Sequence, residues 1–179
     1  MGPSGPALCR PTPLLVRRCR SIAAMSEPAT PYLAGPTGRR PPFRFAARTR
    51  VWFSDTDAQG VVYYGRYLPY FDFARLEYHR YLGIKELWHG EQEFVMRAMN
   101  VEYDAPAVFD DLVEIYVRTS RIGRTSATTD LAAYRVADDR LMCTAVQTLV
   151  LISVPDRRPT PIPDDYRQAI EEFERPTER

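Results

Sequence analysis

Between Phe43 and Phe53 apolar and polar positions alternate: Phe43, Phe45, Ala47, Thr49, Val51 and Phe53 share one face, Arg44, Arg48 and Arg50 the other. A period of two predicts a strand with one buried face. The polar run SDTDAQG at 54–60 reads as a turn closed by a glycine able to take a positive φ. Over 66–82 the period lengthens, with Tyr67, Phe71, Ala74, Tyr78, Tyr81 and Leu82 at helical spacing. Pro69 falls in the first turn of that helix, where it is tolerated, and Gly83 is placed to end it. The helix is apolar over more than one face, so other elements should wrap it. Four β-rich runs follow, 94–103, 112–120, 125–136 and 140–154, with short connections at 122–124 and 138–139 that fit hairpins. PDRRPTPIP at 155–163 cannot continue a ladder, and Asp164 stands where it would cap a short amphipathic helix over 165–175. One strand, one long helix and four strands predict an α+β fold, a helix wrapped by a five-stranded antiparallel sheet. Such a layer leaves a free sheet edge, so a homo-oligomer, dimer or tetramer, is expected.

Composition narrows the class. The 179 residues allow one domain with a tail, and 45% hydrophobic with 26% charged residues is ordinary for a globular chain. No run approaches the roughly 18 apolar residues of a membrane-spanning helix. Cys9, Cys19 and Cys143 are too few for a disulfide scaffold, and Cys143, in mid-strand, reads as a small core residue. His79 and His89, the only imidazoles, exclude a multi-histidine metal site within one subunit and read as solvated or helix-end residues.

Charge divides the chain. Residues 1–50 hold nine arginines against the single acid Glu27, whereas the remainder is acidic and offers no concentrated basic face for nucleic acid. Residues 1–41, rich in Arg and Pro, are expected to be disordered, 42–165 to form the folded domain, and 166–179 to form a short helix and tail. Lys85 is the lone lysine beside 23 arginines, a bias of GC-rich coding sequence. A start read too early, with Met25 as the alternative, is therefore favoured over organelle targeting as the account of the N-terminal stretch.

The chemistry concentrates in FSDTDAQGVVYYGRYLPYFDFARLEYHR, 53–80. Asp55 and Asp57 lie in a loop after a strand and just before a helix, whose N-terminus presents unpaired N–H groups and a partial positive charge. A carboxylate beside such donors suits acyl transfer, with the acid attacking or activating water and the N–H groups holding the oxyanion. Loop aspartates ahead of helices also serve as caps, and on residue types alone that reading of both acids stands first.

The run DTDAQGVVYYGRYLPYFDFARLEY (55–78) resembles the signature of hotdog-fold acyl-CoA thioesterases, of the 4-hydroxybenzoyl-CoA thioesterase type and the relatives associated with bacterial Tol–Pal gene clusters. VEYDAPAVFDDLVEIYVRTSRIGRTS (101–126) and DRRPTPIP (156–163) extend the resemblance over about 43–165. It implies a hotdog fold and hydrolysis of an acyl-CoA to free acid and CoA, without metal or bound cofactor. It also implies Asp57 as nucleophile or general base, Gly60 as the turn glycine and the Tyr64 backbone N–H as oxyanion donor. Arg66 stands where the family commonly has asparagine, which would add a cation near the acyl group. Asp55 is then structural, while Asp72 and Glu77, ion-paired to Arg75 and Arg80, are second-rank acids. Arg121, Arg124, Ser126, Arg157 and Arg158 fall in the regions resembling CoA-facing loops, with Thr125 as a further hydroxyl donor. Tyr70, Trp88, Phe94 and Met96 are expected to set pocket depth, the acyl group being aromatic or aliphatic. A cytoplasmic enzyme is expected. The rivals are an acyl-carrier-protein thioesterase and a non-catalytic acyl-thioester-binding protein; a hotdog hydratase is disfavoured, since no Asp/His pair matches one.

Overall fold

The structure is a computed structural model that describes residues 33–84 and 90–175; Cys9, Cys19, Met25, Lys85, Trp88 and His89 lie outside them. The strands are β1 (Ala34–Pro36), β2 (Phe45–Arg50), β3 (Gln92–Tyr103), β4 (Leu112–Ile122), β5 (Ser126–Arg135) and β6 (Arg140–Ser153). The helices are α1 (Tyr67–Tyr81) and α2 (Asp164–Glu174). All strand pairs are antiparallel, in the order β1-β2-β4-β5-β6-β3. The alternation in β2 is realised: Phe45, Ala47, Thr49 and Val51 are buried. Phe53 departs from it at 77% exposed, because the chain leaves the sheet after Arg50 and enters a 3-10 turn at Phe53–Asp55. On the inner face, Phe45, Ile115, Leu131, Cys143 and Ala145 pack against Phe71, Ala74 and Tyr78 of α1. Burial pushes the Cys143 thiol up to about 12, so it is a neutral core group. Gly83, at φ 74°, ends α1 as expected. Among the described residues no helix is long and apolar enough to cross a membrane.

Three expectations are corrected. The sheet has six strands, because residues 33–41, expected to be disordered, supply β1 and a loop over the outer sheet face. Ala34 pairs with Ala47, Arg39 forms a 2.8 Å ion pair with Glu114, and Arg40 stacks 3.5 Å from the Tyr134 ring centroid. Averaged composition hid these nine residues, whose arginines find anionic and aromatic partners far along the chain. Asp164 is the first residue of α2 and not its cap; Pro163 precedes it, with no side-chain cap bond. His79 is only 3% exposed, and its Nε2 lies 3.2 Å from the Tyr166 hydroxyl. Its helix face is covered by α2, which the periodicity of α1 alone does not reveal.

α2 is joined to the body through Tyr166 and Ile170, which pack on Ala127, Leu151 and Ile162, and through a 2.8 Å bond from the Tyr78 hydroxyl to Glu174. Ile170→Ala is expected to cost about 2–5 kcal/mol in urea unfolding, since Ile170 is 1% exposed. Burial, aided by the Arg75 cation, pushes His79 down to about 3. In the unfolded chain it titrates near 6.5, so between about pH 6.5 and 3 protons bind the unfolded state first. Its contribution to stability is complete above that window and is lost as pH falls, by up to about 1.4 kcal/mol per unit. Urea midpoints measured across the window should show this slope, flattened in His79→Gln.

Candidate active site

After β2 the chain forms a small hairpin. Thr56 bridges Val62, the Tyr63 N–H donates to the Asp55 carbonyl at 2.9 Å, and the Asp57 N–H donates to the Val61 carbonyl at 2.9 Å. Gly60, at φ 77°, closes the tip, with its N–H on the Asp57 carbonyl at 3.0 Å. Asp57 is half-buried there, and its Oδ1 accepts the Gln59 N–H at 2.8 Å. That Asx turn fixes the rotamer and leaves Oδ2 without a protein partner among the described residues. The second arm runs directly into a 3-10 turn, Tyr64–Arg66, that leads into α1. The N–H groups of Tyr64 and Gly65, at the head of this helical stretch, have no acceptor among the described residues. An acid with a free oxygen and a pair of unsatisfied donors are thus placed on one short segment.

Aromatic rings border them. Tyr64, 62% exposed, lies tilted against Tyr63 with ring centroids 4.3 Å apart and meets Tyr103 edge-on, while the Tyr103 hydroxyl donates to the Tyr64 carbonyl at 3.1 Å. Tyr67 lies beneath, pushed up to about 12 by burial, and accepts the Ala107 N–H. Asp55 is buried and accepts hydrogen bonds from the Trp52 N–H and the Tyr70 hydroxyl. Arg66 leans back on Ser54 and Asp55, 3.2 Å from the Ser54 carbonyl and 3.8 Å from Asp55 Oδ1. Asp72 pairs with Arg75 at 2.9 Å and Glu77 with Arg80.

The expected CoA-facing residues lie elsewhere. Arg121 is the penultimate residue of β4 and Ser126 starts β5; Arg124, between them, accepts the Ile162 N–H on its carbonyl at 2.8 Å. Arg157 and Arg158 sit in the turn after β6, Arg157 with φ 59° and an ion pair to Glu93. All five therefore gather at the Ile122 end of the sheet. Arg50 pairs with Leu112, which puts the Asp57 hairpin at the opposite end, roughly 30 Å away along β4. Two grooves, of about 720 Å³ at the C-terminal end of α1 and about 850 Å³ beside β1, do not include Asp57.

A family model described as thioesterase-like superfamily matches residues 51–170, a span that runs from the end of β2 into α2. The chain belongs to the thioesterase-like superfamily. Among curated relatives it is 30% identical to the acyl-CoA thioesterase YbgC of Haemophilus influenzae over 130 residues, 70% of this chain and 93% of that protein. It is 40% identical to the acyl-CoA thioester hydrolase YbgC of Escherichia coli over 79 residues, 43% of this chain and 59% of that protein, so the match spans little more than half of that relative. A solved 1,4-dihydroxy-2-naphthoyl-CoA thioesterase from Synechocystis superposes with a TM-score of 0.68 at 21% identity, over 73% of this chain and 98% of the other. The helix-wrapping sheet is the hotdog fold of such thioesterases, one edge strand larger than expected.

Within this thioesterase-like chain, Asp57, Gly60 and Tyr64 were legible as a motif. Two neighbours were not. Tyr103 reaches Tyr64 from β3, 39 positions away, and Tyr70 is bonded to Asp55 and so does not stand free to gauge pocket depth. Phe94 packs on Tyr166 in the core, and Met96 is 46% exposed on β3. No local signal marks the Tyr70 bond, because a helical tyrosine at a buried position looks the same with or without a carboxylate above it.

Proposed function

We propose that this protein is an acyl-CoA thioester hydrolase with Asp57 as its acid. The observation that carries the reading is the free Oδ2 of Asp57 on a hairpin that continues into the unsatisfied N–H groups of Tyr64 and Gly65. The thioester carbonyl oxygen takes those donors, which hold charge as it develops on oxygen. As general base, Asp57 removes a proton from water while the hydroxide oxygen bonds the carbonyl carbon. The tetrahedral adduct then expels CoA thiolate, which takes up the proton. As nucleophile, Asp57 would form an acyl anhydride, which water cleaves to the free acid. Thiolate is a good leaving group, so neither route needs a strong general acid.

The arginines complete the site only across two subunits. β3 is the outer strand of the sheet, with no partner on its other edge among the described residues. Its Tyr103 end stands at Tyr64, and its Gln92 end pairs with Ser153, beside Arg157. Antiparallel pairing of two β3 edges about a two-fold axis would bring the Gln92 end of one protomer to the Tyr103 end of the other. Each Asp57 would then meet phosphate-binding arginines from its partner, and a homodimer is the functional unit of this proposal. The test is thiol release from short, long and aromatic acyl-CoAs and from acyl-carrier protein. Turnover of a CoA ester that disappears in Asp57→Asn supports the reading. Turnover of carrier-bound acyl groups alone would replace the substrate class, and no turnover would leave a binding protein.

A further inference from the structure

Asp55 lies two positions before Asp57 and is 7% exposed. Its Oδ2 accepts the Trp52 N–H at 2.9 Å and the Tyr70 hydroxyl at 2.6 Å, and its carbonyl accepts the Tyr63 N–H at 2.9 Å from the other arm of the hairpin. Tyr70 is 6% exposed and belongs to α1, the helix led by the Tyr64 and Gly65 donors. The Tyr67 ring braces it edge-on at 6.0 Å, and Tyr67 in turn accepts the buried Ala107 N–H. One short, charge-assisted bond therefore ties the arm carrying the acid to the body of the helix carrying the oxyanion donors. The other side-chain link, through Arg66, is longer and lies at a side chain 46% exposed. Phenylalanine would fill the ring's space, so the hydroxyl contributes the bond and not the packing.

We infer that Tyr70 is a positioning residue, which through Asp55 holds the Asp57 hairpin at a fixed distance from the N-terminal turn of α1; as a role in the reaction this rests on the hydrolase reading above. A group that sets the separation of acid and oxyanion donors acts on kcat, because misplacement of the order of 1 Å is felt in the transition state more than in binding. Tyr70→Phe is expected to lower kcat about tenfold or more while KM stays within about twofold. Asp55→Ala, which removes the acceptor, is expected to act through the same bond, so the double variant should be no slower than the slower single one. Amide hydrogen exchange reads the clamp without turnover. In Tyr70→Phe the Asp57 and Gly60 amides, bonded to Val61 and Asp57 carbonyls, should exchange about tenfold faster. Unchanged kcat in a folded Tyr70→Phe, beside an inactive Asp57→Asn, overturns the positioning role and leaves the hydrolase intact. An inactive wild type overturns the hydrolase reading instead, and the exchange rates then still decide whether the clamp exists.

Discussion

Asp57→Asn is expected to lower kcat for acyl-CoA hydrolysis by about 10²–10⁴-fold with little change in stability. Asparagine keeps the volume, and its Oδ1 can accept the Gln59 N–H that Asp57 accepts at 2.8 Å, so the Asx turn and hairpin should persist. What is lost is the oxygen that serves as base or nucleophile; an amide nitrogen in its place can do neither. The residual rate would come from the donors of the helical turn, which hold the oxyanion whatever side chain stands at 57. Asp72→Asn and Glu77→Gln provide the contrast. Both acids are paired with arginines three residues along α1, so each change should leave kcat within about twofold. Thiol release followed continuously, beside matched unfolding curves, checks all three. Hydrolysis retained in Asp57→Asn and lost in Glu77→Gln would move the chemistry onto the helix and sink the assignment.

The fold was legible wherever pattern is local. Alternation at 43–53, helical spacing at 66–82, and glycines at 60 and 83 each depend on a few neighbours, and each is realised except at the end of the strand, where Phe53 has left the sheet. β1 was missed because its stability comes from Ala47 and from the anionic and aromatic partners of Arg39 and Arg40, all remote in sequence. His79 does lie in the last turn of α1, but the solvated reading fails for a similar reason: what buries it is α2, nearly ninety positions downstream. In the site, the DTDAQG motif and the helix that follows could be read together because hairpin and oxyanion donors are contiguous. The arginines could be read as loop cations but not located, since their distance from Asp57 depends on the antiparallel register of β2 with β4. Under the proposed reading, that separation calls for a second subunit.

That separation yields the second large effect. In the proposed homodimer each site joins Asp57 of one protomer to Arg157 and Arg158 of the other. A protein with both arginines changed to alanine should lose about 10–100-fold in kcat/KM, the worth of one or more charge-assisted phosphate contacts. Asp57→Asn should be almost inert. Co-expressed with distinct affinity tags and purified through both, the mixed dimer of these two defective chains would have one site with both defects and one with neither. It is expected to recover about half the wild-type kcat/KM per dimer. If each site instead lay within a single protomer, the mixed dimer would hold one site lacking the acid and one lacking the arginines, with no recovery above the average of its parents. A gain of that size from two nearly inactive chains has no source in improved folding, because neither substitution touches the core packed between α1 and the sheet. Recovery would therefore fix the two-fold arrangement and the catalytic pairing together, and its absence from a verified mixed dimer would return the arginines to the surface of a site that does not use them.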